Sequence, residues 1–242
     1  MRLELYRPVV GTGITQGFGE NKSCVDRNGK IVGTRNGNCP ANTKPYYKSV
    51  GLLGHNGLDV KTMHGENVHH CATFTGKMQI EKDLDGGIGV DIVSQEPLFF
   101  PGPIPAEIKD YAVKVDGGFT CHVKMRYWHL KTPIGWNDKI VTPGTLIGLA
   151  DNTGKSSGDH LHWSPKWCRE DGRGIGQSNG YFGAFDPMPY YNHTNFIRDL
   201  PPTPPIPVPV PLTPQEKKEI ASALSTVQKV VLYLRELIAL RI

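Results

Sequence analysis

Val123-Lys124-Met125-Arg126-Tyr127-Trp128-His129-Leu130 is the stretch on which the reading of the fold turns. Val123, Met125, Tyr127 and His129 recur at every second position, so as a strand they share one face. Lys124 and Arg126 take the other. Ile88-Gly89-Val90-Asp91-Ile92 repeats the pattern, with Ile88, Val90 and Ile92 on one side. Between such runs stand turn signals: Asp85-Gly86-Gly87, Asp116-Gly117-Gly118 and Pro143-Gly144. No segment before residue 213 keeps a long 3.6-residue apolar period. The chain has 28 glycines and 20 prolines in 242 residues, about a fifth, against about 12% in average usage. That excess favours short strands and turns over a helical bundle. Residues 1–199 therefore read as one all-β, mostly antiparallel domain, long enough to bury a core without staples.

Composition excludes several classes. Hydrophobic content is 38% and mean hydropathy −0.35. No apolar run approaches the ~20 residues that cross a bilayer, so no transmembrane segment is expected. The net charge of +4 is too small to imply nucleic acid. Met1-Arg2-Leu3-Glu4-Leu5-Tyr6-Arg7-Pro8 has no apolar h-region and does not read as a secretory signal. Five cysteines are an odd number, which leaves one unpaired or paired between chains. Cys24 and Cys39 flank a polar loop that a disulfide could close. Cys71, Cys121 and Cys168 sit near apolar residues and read as buried thiols.

Residues 200–212 are Pro-rich, Leu-Pro-Pro-Thr-Pro-Pro-Ile-Pro-Val-Pro-Val-Pro-Leu. Alternating prolines suit a semi-rigid polyproline II linker better than a helix or central strand. Residues 213–242 read as one amphipathic, coiled-coil-like C-terminal helix. Thr213-Pro214-Gln215-Glu216 supplies a cap, a first-turn proline and a Glu three residues after the Thr. Ile220, Leu224, Val227, Val231, Leu234 and Ile238 follow at heptad spacing. Ala223, Val230 and Leu237 broaden the stripe, which suits three or more helices.

Four histidines carry the chemistry. His55-Asn56-Gly57-Leu58-Asp59 is H-x-x-x-D, and His160-Leu161-His162 is H-x-H. On a strand, both imidazoles of H-x-H point to one side. Two His nitrogens and one carboxylate are a common ligand set for catalytic Zn²⁺, which keeps one position for water. Either motif alone arises readily by chance. The flanks decide. Gly54-His55-Asn56-Gly57-Leu58-Asp59-Val60, Tyr127-Trp128-His129-Leu130, and Gly158-Asp159-His160-Leu161-His162-Trp163 resemble signatures of the M23 peptidases, the lysostaphin-like or LytM-type zinc endopeptidases of bacterial cell walls. Ile14-Thr15-Gln16-Gly17-Phe18-Gly19, Gly86-Gly87-Ile88-Gly89-Val90-Asp91-Ile92 and Val141-Thr142-Pro143-Gly144 fit in the same order. The resemblance spans about residues 14–163.

The resemblance implies an antiparallel sheet or half-barrel with a groove, and roles residue by residue. His55, Asp59 and His162 would hold zinc. His129 and His160 would be the catalytic pair that moves protons and stabilises the oxyanion. The substrate would be peptidoglycan peptides. The rival reading is a catalytically silent wall-binding or structural tail module of the same fold, but silent relatives typically lose the zinc ligands, and all three are present. Asp159 stands where the family most often has Pro. The stretch from Gln95 to Phe119 is longer than in compact members and is expected at the groove rim. The insertion between Gly19 and Gly51 is of the same kind. Tyr46, Tyr47, Trp128 or Trp163 could line a peptide groove. His64, His69, His70, His122 and His193 are read as bystanders. Adjacent His69 and His70 would face opposite sides of a strand.

No leader and a stalked helix together imply delivery by a larger particle: a bacteriophage virion or tail, or release to the host wall. Residues 213–242 are then expected to bind copies of the chain or a phage structural protein, because the apolar stripe needs a partner. Truncation after Pro211 should leave hydrolysis of soluble fragments intact and abolish assembly. Sedimentation of both forms checks this; equal monomeric mass, with no partner captured by the full chain, contradicts it.

Overall fold

The computed structural model describes residues 1–33 and 38–197. The segments read above as linker and C-terminal helix lie outside the described residues. The described part is all-β with antiparallel sheets. Its main sheet has nine strands. Along the path they are Ile140–Val141, Gly76–Asp83, Gly87–Ser94, Gly118–Trp128, His160–Cys168, Leu58–Lys61 and Ile14–Gln16. Leu98–Pro101 and Val113–Val115 both pair with the start of Gly118–Trp128. A smaller sheet joins Leu130–Pro133, Leu146–Ala150 and Asn67–His69. No helix among the described residues is long and apolar enough to cross a membrane.

The alternation in the sequence explains which face is core. Met125 and Tyr127 are fully buried, and so are Val90, Ile92, Leu58 and Trp163. Register places Tyr127 opposite Val90 and Trp163, and Trp163 opposite Leu58. These side chains therefore stack on one face. The opposite face carries Asp91, Lys124, Arg126, Trp128, His160 and His162. One sheet thus presents an apolar face to the core and a polar face to a cleft. Trp128 lies flat on that polar face because Gly86 and Gly89 have no Cβ to collide with its ring.

Two expectations are corrected here. Trp163 is wholly buried and lines no groove. The Gln95–Phe119 stretch does not rim the cleft. It adds two strands at the opposite end of the 11-residue strand from Trp128 and buries Leu98, Phe100 and Ile108 in the core. Its apolar Leu98-Phe99-Phe100 run finds Phe119, Trp167 and Phe185 there, and burial of that surface wins over exposure at a rim. The Gly19–Gly51 insertion does wall the cleft. It holds Ser23–Val25, Ile31–Gly33 and Lys44–Pro45 as a small sheet, bridged by a Cys24–Cys39 disulfide. Cys71, Cys121 and Cys168 are buried free thiols.

Tyr127 pins the core to the segment that follows the Asn67–His69 strand. Its hydroxyl accepts from the Cys71 N–H at 2.8 Å and donates to His70 Nδ1 at 3.0 Å. His70 Nε2–H in turn donates to the Phe74 carbonyl at 2.9 Å. Burial lowers His70 to about 4, so the ring is neutral and can accept. Tyr127→Phe leaves two buried groups unsatisfied and should destabilise the domain by about 1–3 kcal/mol. Urea unfolding checks this; an unchanged midpoint contradicts the network.

Candidate active site

His55 stands in the turn that leads into the Leu58–Lys61 strand. Its backbone N–H donates to the Glu20 carbonyl at 2.9 Å, and its carbonyl accepts from Gly19 N–H at 2.7 Å. Its Nδ1–H donates to the Gly17 carbonyl at 3.1 Å, which leaves the Nε2 lone pair facing inward. Tyr47 lies against the ring, 5.5 Å between centroids. Four residues on, Asp59 is opposite His162 in the strand register. Gly57 makes this approach possible, since a Cβ there would strike the His162 ring.

The three side chains converge. His55 Nε2 is 3.1 Å and His162 Nδ1 3.0 Å from Asp59 Oδ1, and the two nitrogens are 2.8 Å apart. Tetrahedral zinc with bonds of about 2.0–2.1 Å spaces its donors roughly 3.3 Å apart. The donor chemistry and spacing fit a divalent metal. Burial alone would raise Asp59, but the His55, His162 and His160 imidazoles hold its carboxyl well below the usual carboxylate range. Burial lowers His162 to about 4. The cluster is an ionised carboxylate with a neutral His162, the protonation state a metal requires of its ligands.

His160 lies beside this cluster. Its Nδ1–H donates to the Gly158 carbonyl at 2.8 Å, and its Nε2 is 3.6 Å from Asp59 Oδ1. His129 packs on His160 with 4.6 Å between ring centroids and lies 6.1 Å from His162. Its Nδ1–H donates to the Thr153 carbonyl at 2.7 Å. Burial first, then the neighbouring imidazoles, push His129 down to about 3. Each ring thus has one nitrogen fixed by a carbonyl and the other free to exchange a proton.

His129 is not on the face of Tyr127, as strand alternation would have it. The strand ends at Trp128, and His129 takes φ +64°. That left-handed residue turns the imidazole out of the core and into the cleft. A non-glycine residue there carries backbone strain of roughly 1–3 kcal/mol, held by backbone hydrogen bonds to Gly86 and Asp151.

The cleft measures about 1010 Å³ and is lined by all five residues. Tyr46, Tyr47, Leu52, Asp85, Trp128, Lys155 and Ser156 also line it. Lys155 is paired with Asp85 and lies 5.9 Å from the Tyr46 ring. The backbone acceptors Gly17, Thr153 and Gly158 have no side-chain signature in the sequence. His69 and His70 go to separate partners, the Gly144 carbonyl and Tyr127. His64, read as a bystander, forms with Asp151 and Asp159 a second group whose donor atoms fall within 4.8 Å of one another. It is largely exposed, and Lys131 Nζ lies 3.2 Å from the other His64 nitrogen.

No protein-family model matches the chain, and no curated protein sequence does. Solved structures similar to it include the catalytic domain of the antimicrobial peptidase lysostaphin from Staphylococcus simulans, at 20% identity over 57% of this chain and 78% of that one, TM-score 0.38. A zinc-containing peptidase from Vibrio cholerae is 22% identical over 73% of this chain and 39% of that one, TM-score 0.43. A chain of the SpoIIQ–SpoIIIAH pore-forming complex is 14% identical over 80% of this chain and 94% of that one, TM-score 0.41.

His162→Ala should strip the cluster of a donor and lower bound zinc from about one per chain toward zero. Elemental analysis beside the unaltered protein checks this; undiminished zinc contradicts the ligand set.

Proposed function

We propose that the chain is a zinc-dependent endopeptidase that hydrolyses peptide bonds of bacterial peptidoglycan. One observation carries the reading: a compact two-His, one-carboxylate donor set lies in a peptide-sized cleft beside two further imidazoles, His129 and His160. Zinc held by His55, Asp59 and His162 would supply Lewis acidity at the scissile carbonyl and lower the pKa of a water to about 7. The protein's own groups do the rest. Asp59 stays ionised and adds the negative charge that holds the cation. The Gly17 carbonyl fixes the His55 ring. His129 and His160, each tethered through Nδ1, offer Nε2 to take a proton from the attacking water and return one to the leaving amine. The protonated member then donates to the oxygen on which negative charge develops. Tyr46, partly exposed at the cleft, gives the peptide a flat surface.

The Pro-rich stretch and C-terminal heptads extend the proposal to delivery. The zinc domain would be carried outward by a phage virion or tail through residues 213–242. That part rests on the sequence pattern alone.

His129→Ala and His160→Ala should each retain zinc and lose hydrolysis by roughly 10²–10⁴-fold. Turnover on soluble peptidoglycan fragments, with metal content measured on the same samples, checks both halves. Wild-type turnover in either variant contradicts the proton-handling role, and lost metal makes that residue a ligand.

A further inference from the structure

The polar face of the main sheet does not end at His162. Register pairs Trp128 with His162, then Arg126 with Ser164, then Lys124 with Lys166. Each step is two residues, about 7 Å along the strands. Arg126 is also opposite Asp91. Three cations therefore crowd around one buried carboxylate. Lys124 Nζ lies 2.7 Å from Asp91 Oδ2, and Arg126 donates through Nε and Nη2 at 3.0 Å each. Lys166 is only 6% exposed and has no ion pair among the described residues. Ser164, on the same face, is fully buried with an Oγ that lacks a hydrogen-bond partner among the described residues.

The charges do not balance locally. Asp91 is shared by Lys124 and Arg126, which leaves the equivalent of one cation over, and Lys166 adds another. Glu81 and Asp83 lie near enough for Arg126 to feel, but they form no ion pair with it among the described residues and are partly or fully exposed. A buried surplus of positive charge is costly. Burial first, then Arg126, lowers Lys166 to about 7. Of the three cations Arg126 alone lines the cleft, together with His55, Asp59, His162 and the carboxylates Asp83 and Asp85, while Lys124 lines a second pocket. Arg126 Nη1 makes no protein hydrogen bond among the described residues, and the guanidinium is braced over the Trp128 ring at 4.9 Å.

We propose that Arg126, backed by Lys124 and Lys166, forms a subsite for a carboxylate of the bound peptide, one or two residues along from the bond at the His55–Asp59–His162 cluster. The inference deepens the peptidase reading and rests on it for the peptide, but the anion site itself does not need hydrolysis. Arg126 lies two residues along the sheet from the level of His162 and one strand over, and an extended peptide advances ~3.3 Å per residue, so the carboxylate it meets belongs to a neighbouring residue. The carboxylate comes from an acidic side chain or from the chain terminus; both present the same fork to a guanidinium.

Calorimetric titration of the full chain tests this, with chelator present so that no carboxylate can sit on a metal. The probes are Ala-Glu-Ala, Ala-Gln-Ala and the C-terminal amides of both. The free carboxylate that fits should bind about tenfold tighter than its amide, the size of one charge-assisted hydrogen bond. Comparing the four probes shows whether the side chain or the terminus supplies it. Lys166→Met and Arg126→Met should each erase most of the preference. Lys166→Met should also melt no lower than the unaltered protein, because it removes a surplus charge and breaks no ion pair. Equal affinity for acid and amide, no binding of any probe, or a preference unchanged in Lys166→Met overturns the subsite. A preference that persists in a protein unable to cut peptidoglycan when zinc-loaded leaves the subsite standing and overturns the peptidase reading instead.

Discussion

The register between the Leu58–Lys61 and His160–Cys168 strands is the constraint on which the site depends. It sets Asp59 directly across from His162 and Lys61 across from His160. A slip of one residue would carry Asp59 or both histidines to the core face, where Leu161, Trp163, Leu58 and Val60 now lie buried. The apolar side of these strands therefore enforces the polar side. Trp163, wholly buried between Tyr127 and Leu58, fixes the pairing that presents His162 to the cleft. Strand alternation presents Asp59, His160 and His162, while a turn tethered to Gly17 places His55 and a left-handed backbone places His129.

Electrostatics divides the polar face into two zones. Around Asp59, three imidazoles stabilise one carboxylate, and burial keeps His129 and His162 neutral. Around Asp91, Lys124 and Arg126 share one carboxylate, and Lys166, lowered to about 7 by burial and Arg126, lies beside them. The proposed function gives the first zone to a cation, and the proposed subsite gives the second to an anion. Both carboxylates are deeply buried and held ionised by neighbours, a state that burial alone would oppose.

Much of this was legible in the sequence. Alternation in Val123–Tyr127 and Ile88–Ile92 gave the strands and their core faces, because side-chain period in a strand is fixed by backbone geometry. H-x-x-x-D and H-x-H named the side chains that meet, since each motif sits at a strand and keeps its own internal spacing. What failed to show was whatever depends on backbone detail or distant packing. Alternation put His129 with Tyr127, and only a positive φ reverses it. The carbonyls of Gly17, Thr153 and Gly158 orient three imidazoles, yet any residue type could supply them. Leu98-Phe99-Phe100 read as a rim loop because its partners Trp167 and Phe185 lie some seventy residues or more away in the chain. The Arg126–Lys166 cluster was invisible for the same reason: its members lie on separate strands and form no motif.

Zinc-dependent cleavage of a peptide bond is what the proposed function requires. Purified peptidoglycans of different cross-bridge types, digested by the full chain and resolved by mass, test it most directly. The expected result is fragments with new amine termini from one bridge chemistry, abolished by chelation and restored by zinc. No peptide fragments from any wall type, or the same fragments from metal-stripped protein, would contradict it.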